Sequence, residues 1–191
     1  MKHDTDSSKQ ELYLGLDLSL RGTGMCLLSP NNVEETTTSI VRVSPSVSSV
    51  IALQTIVNTL RTAITGKGIT LCAIEGYSFG SKIGQFQMGE VGGVVRLLLH
   101  ELEVPFVIVP PTMLKKWTTG NGTADKIQMG VATFAEWGLQ FPDDNQCDAF
   151  NLAAVAAACG GNPLNRMNAI RKQIVTQIQA DPLSTGKRKT K

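Results

Sequence analysis

The sequence predicts an α/β fold on a mixed sheet, in which an antiparallel meander of three strands is joined by two further, parallel strands and flanked by helices. Three observations carry this prediction. Leu12, Leu14, Leu16 and Leu18 alternate with Tyr13, Gly15, Asp17 and Ser19 at the period of two that marks a strand. Val50, Ile51, Ile56, Val57, Leu60 and Ile64 then recur at spacings that add up to helical turns. The short apolar run from Ile69 to Ile74 follows that helix, and a strand, helix and strand in succession make a parallel crossover.

The remaining elements follow in order. After the first strand, Arg21, Gly22, Thr23 and Gly24 read as a turn into the apolar run from Met25 to Leu28. Pro30, Asn31 and Asn32 turn the chain again before a Thr-rich, β-branched third strand over residues 36–43. Gly66 and Gly68 stop the first helix. A second helix is expected over residues 85–103, carrying Gly89, Gly92 and Gly93. Each costs a helix roughly 1 kcal/mol relative to Ala, so they point to close packing against another backbone. Residues 105–109 make a last short strand, stopped by Pro110 and Pro111 ahead of a short helix over 112–117. The loop at 118–124, with Gly120 and Gly122, leads into a helix over 125–137, and an apolar helix covers 146–159. Gly160, Gly161 and Pro163 mark the expected end of the compact part, followed by a polar helix over 165–179. The expected organisation is therefore a flexible N-terminus at 1–11, one domain at 12–160, and a C-terminal extension at 161–191 that ends in the basic tail Lys187-Arg188-Lys189-Thr190-Lys191.

A chain of 191 residues, 42% hydrophobic and 18% charged, has the composition of one ordinary folded domain. Eighteen basic against sixteen acidic side chains give +2, which neither requires nor excludes a polyanionic partner. No apolar run approaches the ~20 residues that span a bilayer, and residues 1–10 are polar where a secretion signal needs an apolar core. The expectation is a cytoplasmic chain with no membrane partner. Cys26, Cys72, Cys147 and Cys159 are widely spaced with no C-x-x-C pair, which argues against a zinc site or a disulfide framework and for reduced core thiols.

Chemistry enters with the acids. Asp17 and Glu75 each close an apolar strand, where an ionised side chain loses hydration and needs a compensating cation or donor. If the two strands are neighbours they lie ~4.8 Å apart, and the two carboxylates are within reach of one divalent ion. A third acidic group, Asp143-Asp144-Asn145-Gln146-Cys147-Asp148, opens the apolar helix and sends Asp148 into a buried element. Asp144 and Asn145 stand four and three residues before Asp148, so either is a candidate fourth ligand. Capping and macrodipole effects are the competing reason for Asp143 and Asp144 at a helix start.

Several stretches together resemble one family. They are Gly15-Leu16-Asp17-Leu18-Ser19 with Thr23-Gly24, Ala73-Ile74-Glu75, Val109-Pro110-Pro111 through Lys115 to Thr119-Gly120-Asn121-Gly122-Thr123-Ala124-Asp125-Lys126, and Asp144-Asn145-Gln146-Cys147-Asp148-Ala149. In order and spacing they resemble the RuvC family of Holliday-junction resolvases, particularly its phage-type members, over about residues 12–158. The resemblance implies an RNase H-like fold with a five-stranded mixed sheet, and a homodimer that cuts four-way DNA junctions with Mg²⁺ or Mn²⁺, two ions per active site. It implies that Asp17, Glu75 and Asp148 are catalytic acids and metal ligands. Many relatives carry Asp or His three residues before the last acid, where this chain has Asn145, with Asp144 one step away. Lys115 and Lys126 match the family's two basic active-site residues, and Lys116 is then a phosphate contact or a surface charge.

The chemistry suits these residue types. Phosphodiester hydrolysis needs an activated water and neutralised charge, which hard divalent cations held by carboxylates supply. Lys126 would stabilise the transition state while Lys115 holds the DNA backbone. The segment after Glu75 contains Tyr77, Phe79 and Lys82; in relatives an aromatic of this loop meets unpaired bases at the junction centre, a role open to Phe79 or Tyr77 here. The 85–103 helix matches the family's dimer helix. Two rival functions remain at this point. One is a branched-DNA-binding module that does not cut, weakened at Asn145; the other is an actin-like ATPase, suggested by the turn after Asp17. The implied setting is the cytoplasm of a bacterial cell or a phage-infected host.

Overall fold

The computed structural model describes residues 11–76 and 85–181. Tyr77, Phe79, Lys82 and the basic tail lie outside the described residues, as do residues 1–10. The chain folds into a five-stranded sheet in the order β3-β2-β1-β4-β5. Its strands are β1 (Leu12–Asp17), β2 (Gly22–Leu28), β3 (Thr37–Arg42), β4 (Ile69–Glu75) and β5 (Phe106–Val109). Strands β1, β2 and β3 pair antiparallel, while β1 with β4 and β4 with β5 pair parallel. The helices are α1 (Ser49–Ile64), α2 (Gln85–Glu101), α3 (Pro111–Thr119), α4 (Lys126–Trp137), α5 (Asp144–Cys159) and α6 (Ala169–Ala180).

Both faces of the sheet are covered. Leu14, Leu16, Cys72 and Ile74 face α1 and α2, whereas Tyr13, Ala73 and Val109 face α5 with α3, α4 and α6 around it. The alternation in β1 therefore separates two buried faces rather than an inner from an outer one. β3 and β5 are the edge strands, and the Thr, Ser and Arg residues of β3 suit an exposed edge.

Several ends shift by a few residues from the sequence expectation, and four larger differences have physical reasons. Residues 22–24 belong to β2 rather than to a turn. The bend lies earlier, fixed by Thr23 Oγ1, which donates to the Ser19 carbonyl (2.7 Å) and accepts from the Ser19 amide (3.2 Å). In α1 the buried stripe is Ala52, Ile56, Leu60 and Ile64, while Val50 and Ile51 face outward. α5 starts at Asp144 rather than Gln146, because Asp143 caps it. The compact body does not end at Gly160: α6 returns to it and buries Ile174 and Ile178 among the residues of α3 and α5. Among the described residues no helix is long and apolar enough to cross a membrane, and all four cysteines are free.

Candidate active site

The sheet brings the first two acids together. Leu16 pairs with Ile74 in the parallel β1–β4 ladder, so Asp17 and Glu75 end neighbouring strands at the same level. Both belong to the side-chain set of Tyr13, Gly15 and Ala73, the one that faces α5.

Helix α5 brings the third. It crosses the sheet at unusually short range, because two strand positions have no side chain. A Cβ at Gly15 would lie 1.9 Å from the Ala149 carbonyl oxygen and 2.4 Å from the Ala153 nitrogen. A Cβ at Gly24 would lie 2.2 Å from the Asn145 carbonyl oxygen. Only glycine permits this approach, and it sets the helix turn that holds Asp148 against the ends of β1 and β4. Asp143 fixes where that turn begins: its carboxylate accepts from the Gln146 amide (2.9 Å) and pairs with Arg42 on β3 (3.0 Å). Thr38 of β3 adds a hydrogen bond to Gln146 Oε1 at 2.9 Å.

Burial raises the carboxyls of all three acids, and neighbouring charges add to or oppose that rise. Asp17 is only 8% exposed. Burial, then the negative charges of Glu75 and Asp148, and a hydrogen bond shared with Glu75 push its carboxyl up to about 9, against the pull of Lys126. Glu75 is also raised by burial, while the bond from protonated Asp17 and the charges of Lys115 and Lys126 oppose the rise. Asp148 is pushed up to about 7 by burial and then by Glu75, again opposed by Lys126 and Lys115. Among the described residues no three acidic, His or Cys side chains stand as a ready-made ligand cluster. The raised carboxyls of Asp17 and Glu75 are what two close, buried acids show with too little positive charge nearby. Hard oxygen donors in that condition fit a divalent cation, whose charge would favour their ionised forms.

The lysines divide. Lys126 opens α4 directly after Asp125, whose carboxylate accepts from the Gln128 amide (2.8 Å) while its own amide donates to Gln128 Oε1 (2.9 Å), closing a capping box. Lys126 forms an ion pair with Asp144, so that carboxylate is engaged by a cation. Lys115, on α3, acts on Glu75 and Asp148. Lys116 lies instead along a hollow with Trp117, Glu136 and Arg171, on the side toward α6. Asn145 rests over the start of β2, with its amide nitrogen 3.2 Å from where a Cβ of Gly22 would stand.

A buried polar contact ties α4 to α5: Asn151 donates to Thr133 Oγ1 and to the Cys147 carbonyl, both at 2.9 Å. Between these two helices a hollow of about 510 Å³ opens beside Lys126, Asp144 and Asp148, and Ile127, Val131 and Phe134 line its outer part. Sequence reading missed that hollow and the role of Asn151. A polar residue inside an apolar helix was the available signal.

Comparison with known proteins agrees with this fold. Residues 13–159 match the model of the family described as "Crossover junction endodeoxyribonuclease RuvC". A protein so named from Prochlorococcus marinus (strain MIT 9303) is 26% identical over 144 residues, covering 73% of this chain and 94% of its own length. Its counterpart from Synechococcus sp. (strain WH7803) is 28% identical over the same shares of each chain. The Thermus thermophilus RuvC structure superposes with a TM-score of 0.65 at 18% identity, covering 79% of this chain and 97% of that one. The T. thermophilus RuvC structure in complex with Holliday junction substrate gives 0.61 at 18% identity, covering 74% and 90%. With the RNase H-like sheet already traced and the matched segment running from β1 through α5, the chain belongs to the RuvC family of crossover junction endodeoxyribonucleases.

Proposed function

We propose that Asp17, Glu75 and Asp148 form the catalytic centre with which this RuvC-family endonuclease resolves four-way DNA junctions. The observation that carries the assignment is geometric: Asp17 and Glu75 close neighbouring strands at one level, and the glycines of β1 and β2 let α5 bring Asp148 against those strand ends. The family is one of metal-dependent nucleases, and the three acids are the groups that would hold the cations, with Asp144 and Asn145 as flanking candidates. Bound Mg²⁺ or Mn²⁺, two per site, would supply an activated water and neutralise charge building on the scissile phosphate. Lys126, beside the acids, adds positive charge where the phosphate reacts. Lys115 holds the adjoining backbone from α3, whereas Lys116, turned toward α6, is a surface charge rather than a contact at the centre. The hollow beside Asp148 and Lys126 would let a DNA strand approach the α4–α5 edge of the centre.

The active unit is a homodimer formed through α2. Phe86 and Leu97 stand 83% and 58% exposed on this helix, and a Cβ at Gly89 or Gly93 would meet nothing within 4 Å among the described residues, so the close backbone approach these glycines permit is available to a second copy. A two-fold dimer presents paired sites to opposing strands. Tyr77, Phe79 and Lys82 follow β4 directly and would reach the junction centre. The setting is the cytoplasm of the cell in which the DNA recombines.

A labelled synthetic junction incubated with the protein, with and without Mg²⁺ or Mn²⁺, tests the reading. The expected result is metal-dependent nicks at symmetrically related positions on opposing strands. Tight junction binding without any cleavage would reassign the chain as a branched-DNA-binding module.

A further inference from the structure

We propose that Arg171 is a positioning residue for the nuclease: α6 acts as a brace that fixes α3 and α4, and so the two lysines they carry, against the carboxylates. The proposal rests on the assignment of Lys115 and Lys126 above. It concerns a helix beyond the matched segment, which stops at residue 159 while α6 begins at Ala169.

Arg171 is a cation with only 8% of its surface exposed. Three partners account for that burial. Its guanidinium makes a two-point ion pair with Glu136 on α4. Its Nε donates to the Trp117 carbonyl of α3 at 3.1 Å. Its guanidinium carbon stands 4.9 Å from the centroid of the Trp117 ring. One side chain thus satisfies a carbonyl in the last turn of α3, where helices leave carbonyls without partners, and grips the last turn of α4. The planar fork of Arg fits this double duty in a way the point charge of Lys does not.

The root of the brace is equally fixed. Asn168 caps α6 by accepting from the Arg171 amide at 2.9 Å, and Ile174 and Ile178 on the same helix are 2% and 1% exposed. Arg171 therefore projects from an anchored helix. Lys115 lies two residues before Trp117, on the helix gripped. Lys126 lies at the opposite end of α4 from Glu136, about 15 Å along a rigid rod, so a tilt at the gripped end displaces the lysine at the other. Lys116 shares the hollow with Arg171 and Glu136, which makes this side of α3 the braced side and leaves Lys115 for the carboxylates.

The test compares full-length Arg171→Met, Arg171→Lys and Glu136→Gln with Leu60→Ala, which weakens the core on the far side of the sheet. Two quantities are read at a temperature where every variant is folded: amide hydrogen exchange across residues 111–137, and the junction cleavage rate with enzyme in saturating excess. The expected result is faster exchange across that segment and a rate about 10- to 100-fold lower in Arg171→Met. Glu136→Gln should fall in the same direction, Arg171→Lys should recover part of the loss, and Leu60→Ala should keep both readouts near the parent. Wild-type exchange or wild-type cleavage in Arg171→Met and Glu136→Gln overturns the brace, as does an equal loss in Leu60→Ala. If the parent protein cuts no junction, the nuclease assignment fails, and the brace stands or falls on the exchange measurement.

Discussion

The two buried faces of the sheet are built on opposite principles. The face toward α1 and α2 is packed with Leu14, Leu16, Ile56, Leu60, Ile74 and Leu98, aliphatic side chains that keep helix and sheet at ordinary spacing. The face toward α5 combines Gly15, Gly24 and a run of alanines with the carboxyls of Asp17, Glu75 and Asp148. The first stabilises by removing apolar area from water, worth about 25 cal/mol per Å². The second gives up part of that gain to bring a helix backbone almost onto the strands and to hold three acids out of water. One side of the sheet is thus purely apolar, whereas the other combines a core of its own, around Tyr13, Trp117 and Phe150, with the three acids.

The sharpest way to probe this division is Asp17→Asn. It should lower junction cleavage by at least ~10³-fold, the scale seen when a charge-stabilising group is removed from a reacting centre, while binding of junction DNA without divalent cations persists. Full retention of Mg²⁺-dependent cutting would break the assignment. Next in size is Gly15→Ala. The added methyl would stand 1.9 Å from a backbone carbonyl that cannot step aside, and a loss of about 3 kcal/mol in denaturant unfolding is expected. The same change at Gly89, where a Cβ meets nothing among the described residues, should instead raise the stability of a monomeric form by about 0.5–1 kcal/mol. If both glycines tolerate Ala alike, the close-approach argument for the α5 face is wrong.

The third effect concerns protons. Asp17 at about 9 and Asp148 at about 7 lie above the ordinary carboxyl range. From about pH 4 up to those values the native chain therefore holds protons that the unfolded chain has already released. Stability then falls as pH rises through that window. Without divalent cations the thermal midpoint should decline from pH 5 to pH 9. Asp17→Asn should flatten the decline and raise the midpoint at pH 8, and millimolar Mg²⁺ should raise the midpoint of the parent there by binding the native state. A midpoint indifferent to both pH and Mg²⁺ would show that the acids are not coupled as described.

Much of this was legible in the sequence, because the relevant signals are periodic or terminal. The alternation from Leu12 to Leu18 located β1, and an acid closing an apolar strand located Asp17 and Glu75. What stayed hidden depends on partners far along the chain. Gly22 and Gly24 have the composition of a turn, and only the arrival of α5 explains why they sit in a strand. Val50 and Ile51 fit the helical period of α1, yet the face chosen by Ala52, Ile56, Leu60 and Ile64 turns them outward. Arg171 stands in a helix that reads as polar, and nothing local distinguishes a buried clamp from a solvated cation. The assignments of the candidate ligands came from residue type and order. That Asp144 is engaged by Lys126, and that Asn145 lies over Gly22, required the fold.

The distribution of the three acids along the chain has a consequence for biosynthesis. The β1–β2–β3 meander consists of local pairings, which form early during synthesis, and β4 can join it as soon as α1 exists. Asp148, however, emerges with α5, after every strand has been made, and α5 is also the layer that covers one whole face of the sheet. A half-made chain on the ribosome therefore owns two of the acids but neither the third nor the roof above them. On the proposed assignment, the trio of acids is complete only when α5 docks on a sheet whose strands are already made.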